Sequence, residues 1–108
     1  MHDGQLGKLL QQAQQMQENI AKAQKELKNM RVEAVVDAGS IKVVANGRQE
    51  ILDIVIDPGI IHPANAKVIQ EYLVSVINKA LDKSRTLARQ QMSKATGGLN
   101  ISDIPGLF

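Results

Sequence analysis

The chain contains no cysteine, only three prolines and only two aromatic residues among its 108 residues. The absence of cysteine excludes disulfides, cysteine-ligated metals and thiol catalysis, and it is typical of a reducing compartment. With so few aromatics, the core must consist of Ile, Val, Leu, Ala and Met. No apolar leader and no membrane-length apolar run is present. We therefore expect a cytoplasmic, single-domain protein (residues 1–108) with no membrane partner.

The sequence also lacks any set of side chains that suggests chemistry. His2 and His62 have no second ligand at a spacing that favours a metal site. Asp57 precedes Pro58, which favours a turn-forming carboxylate over a catalytic one. No nucleophile, base and orienting group stand in a recognisable arrangement. We therefore expect no enzyme activity, no catalytic residue, no metal, no cofactor and no small-molecule substrate.

What the sequence does contain is an unbroken heptad stripe near its start. Apolar residues recur at alternating spacings of three and four, which is typical of a helix that packs against another helix. The stripe consists of Leu6, Leu9, Ala13, Met16, Ile20, Ala23, Leu27 and Met30. The intervening residues are mostly Gln, Lys, Glu and Asn. The pattern predicts a first helix over 6–31, roughly 35 Å long, that projects from a small core.

Three β-strands are predicted in the middle of the chain, over 32–56. Two segments rich in β-branched residues flank a turn signal at Asp37–Ser40. Asn46-Gly47 then precedes the third strand and favours a tight hairpin, because both residue types tolerate positive φ. We expect an antiparallel meander with two open edges. Pairing of an edge with a second copy of the chain would cover it.

A second helix is predicted over 64–96, with glycines directly after it. Residues 97–108 are expected to form a flexible tail with apolar groups. Because the first helix leads into the sheet and the second leaves it, the two helices would pair antiparallel as one projecting arm. The predicted class is α+β, with a helix-strand-strand-strand-helix subunit. So small and elongated a chain buries little surface alone, which favours a twofold dimer.

Charge is unevenly distributed along the chain. Between Lys8 and Arg31 there are five basic and two acidic residues, and between Lys79 and Thr96 five basic and one acidic. The intervening sheet region is net acidic. Antiparallel helices would place the basic residues on the arm, with Lys8 approaching Arg85, Arg89 and Lys94 at a tip far from the sheet.

Exposed basic residues on such an arm can neutralise nucleic-acid phosphates. On this basis the predicted DNA-binding residues are Lys8, Lys79, Lys83, Arg85, Arg89 and Lys94. The alternative interpretation is an ordinary solvated helix face, whose cations near the C-terminus also interact favourably with the helix dipole. No base-reading motif is present, so only backbone contacts are predicted.

Several segments, in the same order along nearly the whole chain, resemble the YbaB/EbfC family of bacterial nucleoid-associated proteins. They are LLQQAQQMQ (9–17), GSIKVVANG (39–47), VIDP (55–58), GGLN (97–100) and IPGLF (104–108). The resemblance implies a tweezer-like homodimer that joins through the sheet. It also implies binding of double-stranded DNA with little sequence preference, a location in the nucleoid, and a role in nucleoid organisation or gene regulation.

A rival function comes from another class of protein. Helices that flank β-hairpins also describe prefoldin-like chaperone subunits, whose projecting coiled coils hold client proteins. In that case the exposed stripe and the apolar tail would be the working surface of a client-holding or adaptor module. Retention of DNA on a gel, compared with suppression of client aggregation, distinguishes the two functions.

Overall fold

The computed structural model describes residues 3–97 and has the predicted order of helix, three strands and helix. The elements are α1 (Asp3–Lys28), β1 (Arg31–Val36), β2 (Ile41–Asn46), β3 (Ile51–Ile56) and α2 (Ala66–Ala95). Two short 3-10 turns connect β3 to α2. The molecule is elongated, with extents of 76 × 22 × 18 Å. The predicted tail, 97–108, lies outside the described residues except for Gly97.

The sheet is an antiparallel meander in the order β1-β2-β3, as predicted. Its central strand, β2, carries fully buried Ile41 and Val43 on the face that α2 covers. Val76 and Ala80 of α2 pack on the same cluster, and small side chains there allow the helix to approach the strands closely. This core fixes α2 to β1 and β2. The sheet and the first half of α2 therefore form one unit, which we call the base of the molecule, and the helix pair projects from it.

The third strand is much less well covered than the other two. Ile54 pairs with buried Val43 and shares its face of the sheet, yet 42% of Ile54 is exposed, because α2 packs over β1 and β2. Leu52 and Val55 are 44% and 47% exposed. Since β3 is also an edge strand, both its apolar side chains and its outer backbone groups are open to a partner.

The β2–β3 connection is a hairpin, but its glycine has a different role from the expected one. Neither Asn46 nor Gly47 has a positive φ; the left-handed residue is Gln49, with φ 64°. Gly47 instead lies against the end of α1, and its N–H donates to the carbonyl oxygen of Leu27 at 2.9 Å. A Cβ on Gly47 would lie 2.5 Å from Leu27 Cδ2. Close packing, not backbone conformation, therefore requires glycine at this position.

A buried polar cluster joins the same hairpin to both helices. Asn46 Nδ2 donates to the carbonyl oxygen of Lys28 at 3.2 Å, and Asn46 Oδ1 accepts from the backbone N–H of Glu50. Ser84 Oγ donates to the carbonyl oxygen of Asn46 at 2.7 Å and accepts from Gln49 N–H at 2.9 Å. The hairpin thus satisfies carbonyls at the end of α1 that have no partner within the helix. It fixes the direction in which α1 leaves the sheet.

The two helices pair antiparallel, as predicted, but over only part of α1. Ala23 and Leu27 pack against Ala88 and Met92 of α2. Where α2 ends, Asn19 Nδ2 lies 3.5 Å from the carbonyl oxygen of Ala95. From there toward its N-terminus α1 has no neighbouring helix among residues 3–97. Within residues 3–97, the outer part of the arm therefore consists of α1 alone over about 24 Å.

Candidate nucleic-acid interface

One side of the helix pair contains a shallow groove with a lysine on each wall. Lys22 of α1 and Lys94 of α2 both line it, together with Asn19, Glu26 and Gln91. Both lysines are exposed. The antiparallel pairing produces this arrangement, because residues flanking Ala23 on α1 meet residues flanking Met92 on α2. Two cations from distant parts of the sequence are thereby brought to one surface.

Further lysines continue this side of the molecule in both directions. Lys8 is two heptads before Lys22 and so lies on the same face of α1, about 21 Å further out. Toward the base, Lys83 Nζ donates to the carbonyl oxygen of Glu33 in β1 at 2.6 Å. Lys79, one turn earlier on α2, lies beside the end of β1. We refer to Lys8, Lys22, Lys79, Lys83 and Lys94 as the lysine edge.

The arginines lie on the opposite side of α2, as their helical positions require. Arg85 Nη1 forms a 2.7 Å ion pair with Asp82 Oδ1, three residues earlier on the same helix. Arg89 is exposed one turn further along. Arg48, in the β2–β3 hairpin, lines a depression on this side with Gln24 and Met92. The lysine edge therefore lies on one side of the arm, and Arg48, Arg85 and Arg89 lie on the other.

The structure does not bring together all six residues that the sequence suggested. Because α2 ends opposite Asn19, Lys8 lies about 16 Å beyond the end of that helix. The expectation that Lys8 approaches Arg85, Arg89 and Lys94 at the tip is therefore wrong. Arg85 follows Ser84, which contacts the hairpin at the base. Only Lys94 is close to the middle of the arm.

Two basic residues were not selected from the sequence: Lys22, which belongs to the lysine edge, and Arg48, which lies on the opposite side of the arm. Lys22 immediately precedes Ala23 of the heptad stripe, and only the position at which α2 ends places it opposite Lys94. Arg48 follows Gly47, so its position depends on the packing of the hairpin against α1. No local motif marks either residue.

Few of these cations are neutralised within the subunit. In the part of the chain from 3 to 97, the Arg85–Asp82 contact is the only salt bridge. Lys22 and Lys94 have Glu26 in their groove without a contact of ion-pair length. Cations that are exposed and unpaired can bind external anions without first breaking internal contacts. In the lysine edge, Lys83 donates to the Glu33 carbonyl oxygen, and Lys8, Lys22, Lys79 and Lys94 are exposed cations without a salt bridge among the described residues.

Comparison with known proteins assigns the chain to a family. A model of the YbaB/EbfC DNA-binding family matches residues 3–99. The chain belongs to this family. It is 41% identical over 105 residues to a "Nucleoid-associated protein" of Ruminiclostridium cellulolyticum, covering 97% of this chain and 90% of the relative. A protein of the same description from Desulforamulus reducens is 43% identical over 108 residues, covering all of both chains.

A solved structure has the same fold as this YbaB/EbfC family member. The uncharacterized protein HP0035 from Helicobacter pylori superposes with a TM-score of 0.70 at 23% identity, covering 91% of this chain and 99% of that one. At this identity the likeness concerns the fold alone. Among the described residues, neither helix has an apolar stretch sufficient to span a bilayer.

Proposed function

We propose that this protein binds double-stranded DNA in the nucleoid, mainly through phosphate contacts along its arms. The observation that supports this most directly is the pairing of Lys22 and Lys94 across one groove, because that surface exists only in the folded helix pair. Family membership and the names of the relatives point to the same function. The residues proposed to contact phosphates are the lysine edge together with Arg85 and Arg89.

We further propose that two copies join through the sheet. Leu52, Ile54 and Val55 of β3 are exposed, and the strand also forms an edge of the sheet. A second copy placed there would bury both. Two arms would then project from one base, as in tweezers, and could hold two stretches of DNA or bend one. Such bridging or bending is the proposed route to nucleoid organisation and gene regulation.

The distribution of acidic residues supports contact along the helices over contact on the sheet. Glu33, Asp37, Asp53 and Asp57 are all exposed on or beside the sheet. These carboxylates would repel phosphates that approach the sheet. The same phosphates would meet exposed lysines along the helices, so the charge distribution favours approach of DNA to the helices.

Fluorescence anisotropy with labelled duplexes of unrelated sequence, at several salt concentrations, tests the proposal. We expect similar affinities for all duplexes and a steep loss with salt, about 0.9 in the slope of log affinity per phosphate contacted. The double variant Lys22→Gln/Lys94→Gln should reduce both affinity and slope. The control Lys25→Gln/Lys67→Gln removes the same charge away from the groove and should have a smaller effect.

Failure to bind any duplex at low salt would contradict the proposal. An assay of aggregation suppression with a model client protein, run on the same preparation, would then examine the client-holding function. Binding that is independent of salt would contradict the phosphate contacts while leaving DNA as the partner. Equal losses in the two double variants would show that total charge, and not the groove, governs binding.

A further inference from the structure

The outer part of α1 carries an apolar surface that no described residue covers. Its leucines Leu6, Leu9 and Leu10 are 58%, 61% and 57% exposed, and Ala13 lies between them and the helix pair. We refer to these four residues as the tip stripe. Three large leucines exposed side by side on one helix are unusual on a monomer surface and indicate an interaction site.

The tip stripe continues the surface that α2 covers further in. Leu6, Leu9 and Ala13 have the same heptad spacing as Ile20, Ala23 and Leu27, and the latter group packs against α2. The apolar seam therefore does not end where α2 ends. Between Asn19 and Leu6, some 20 Å of seam lacks, within residues 3–97, the second element that its sequence pattern requires.

The chain itself leaves α2 at the beginning of this uncovered seam. Asn19 Nδ2 lies 3.5 Å from the carbonyl oxygen of Ala95, and only Thr96 and Gly97 follow in the described part. Gly97 has a φ of 66° with open space around it, which is the conformation that turns a chain away from a helix axis. The described part of the chain therefore ends, at Gly97, near the inner end of the uncovered seam.

The eleven residues 98–108 have the length and the composition to cover this seam. In extended form they reach about 36 Å, compared with the roughly 20 Å from Asn19 to Leu6. Five of them are large and apolar, namely Leu99, Ile101, Ile104, Leu107 and Phe108. Their one charged side chain is Asp103, and Lys8 is the one charged residue in segment 4–17. The two segments are complementary in hydrophobicity and in charge.

We propose that residues 98–108 dock on the tip stripe of their own chain and extend the helix pair to the end of the arm. The segment could instead dock on the tip stripe of a second copy. However, a tethered segment acts on its own chain at an effective concentration on the order of millimolar. At micromolar protein the intramolecular contact is favoured. Docking would cover the three leucines and place Asp103 near Lys8, reducing the positive charge at the very end of the lysine edge.

Paramagnetic broadening in the full-length protein tests this directly, since the absence of cysteine makes a single labelling site clean. A nitroxide on Ser102→Cys should cause loss of the amide signals of Leu6, Leu9 and Leu10 in the ¹⁵N-labelled chain. A nitroxide on Glu71→Cys, an exposed position near the start of α2, is the control and should leave those signals intact. Adding Leu9→Gln/Leu10→Gln to the Ser102→Cys chain should prevent docking and leave the Leu6 amide signal and those of the two substituted positions intact.

A mixed sample distinguishes docking within one chain from docking on a second copy. Here the ¹⁵N-labelled chain carries no nitroxide and the nitroxide chain carries no isotope, so only contacts between chains cause broadening. Intact signals in the mixture, together with broadening in the first sample, support docking within the chain. Equal broadening in the mixture would show that the segment docks on another copy, and absence of broadening in both samples would also overturn the proposal. No DNA is present, so this test and the DNA-binding test fail independently.

Discussion

The packing of Gly47 against α1 leads to a quantitative prediction for Gly47→Ala. The new Cβ would lie 2.5 Å from Leu27 Cδ2 and 2.9 Å from the Leu27 carbonyl oxygen. Leu27 is only 2% exposed and packs against Ala88 and Met92, so movement of its side chain disturbs the contact between the helices. The backbone oxygen is further held by the Gly47 N–H at 2.9 Å. Relief of the overlap therefore requires α1 and the hairpin to separate.

The magnitude follows from two opposing effects. Overpacking of a filled core costs roughly 1–3 kcal/mol. Replacing glycine by alanine also lowers the entropy of the unfolded chain, which stabilises the protein by about 0.4–1 kcal/mol. We expect a net destabilisation of about 1–2 kcal/mol. For a domain of this size that corresponds to a decrease in Tm of about 5–15 °C.

Thermal unfolding followed by circular dichroism measures the effect, at one fixed protein concentration because dimerisation would make Tm concentration-dependent. Gly7→Ala is the matched control, since nothing lies within 4 Å of the Cβ it would introduce and Gly7 is inside α1. That substitution should leave Tm unchanged or raise it. If Gly47→Ala raised Tm in the same way, the close approach to Leu27 would not explain the glycine, and this reasoning would be refuted.

Three further changes have defined outcomes. Ser84→Ala removes a buried hydroxyl that bonds Asn46 and the hairpin, and should lower the free energy of unfolding by roughly 1–3 kcal/mol in urea titrations. Ile54→Lys places a charge on the uncovered part of β3 and should convert the proposed dimer to a monomer, measured by light scattering, whereas a persistent dimer would locate the interface elsewhere. Arg85→Glu/Arg89→Glu should weaken anisotropy-detected binding of all duplexes about equally; selective loss for one sequence would contradict backbone recognition.

The sequence was sufficient to predict the fold because each element carries its own periodicity. The heptad spacing from Leu6 to Met30 indicated α1, and the β-branched segments indicated the strands. The sequence could not show where the helix pair ends, because the stripe on α1 continues unchanged past Asn19 to Leu6. The predicted proximity of Lys8 and Lys94 failed for that reason. Element type is encoded locally, whereas the overlap of two helices depends on where the sheet places their starts.

The hairpin at Asn46 and Gly47 shows the same division between local and tertiary causes. Asn-Gly is a sufficient local explanation for a turn, so nothing in the local pattern pointed to a second role. In the structure, Gln49 adopts the left-handed conformation, and Gly47 and Asn46 instead contact the end of α1. A residue pair that satisfies a familiar local pattern can therefore conceal a tertiary requirement.

The packing of the β2–β3 hairpin against the end of α1, which we call the joint, matters for the proposed function. It determines where the charges of the arm lie relative to the sheet. α1 has no covalent constraint near the sheet beyond the short connection to β1, and its direction is fixed by Leu27, Gly47 and the bonds of Asn46 and Ser84. Lys22 and Lys94 face one groove only while that direction is maintained. A loosened joint would leave every lysine in place in the sequence, yet would separate the two walls of the groove. The proposed phosphate-binding surface thus depends on the hairpin's packing as much as on the basic residues themselves.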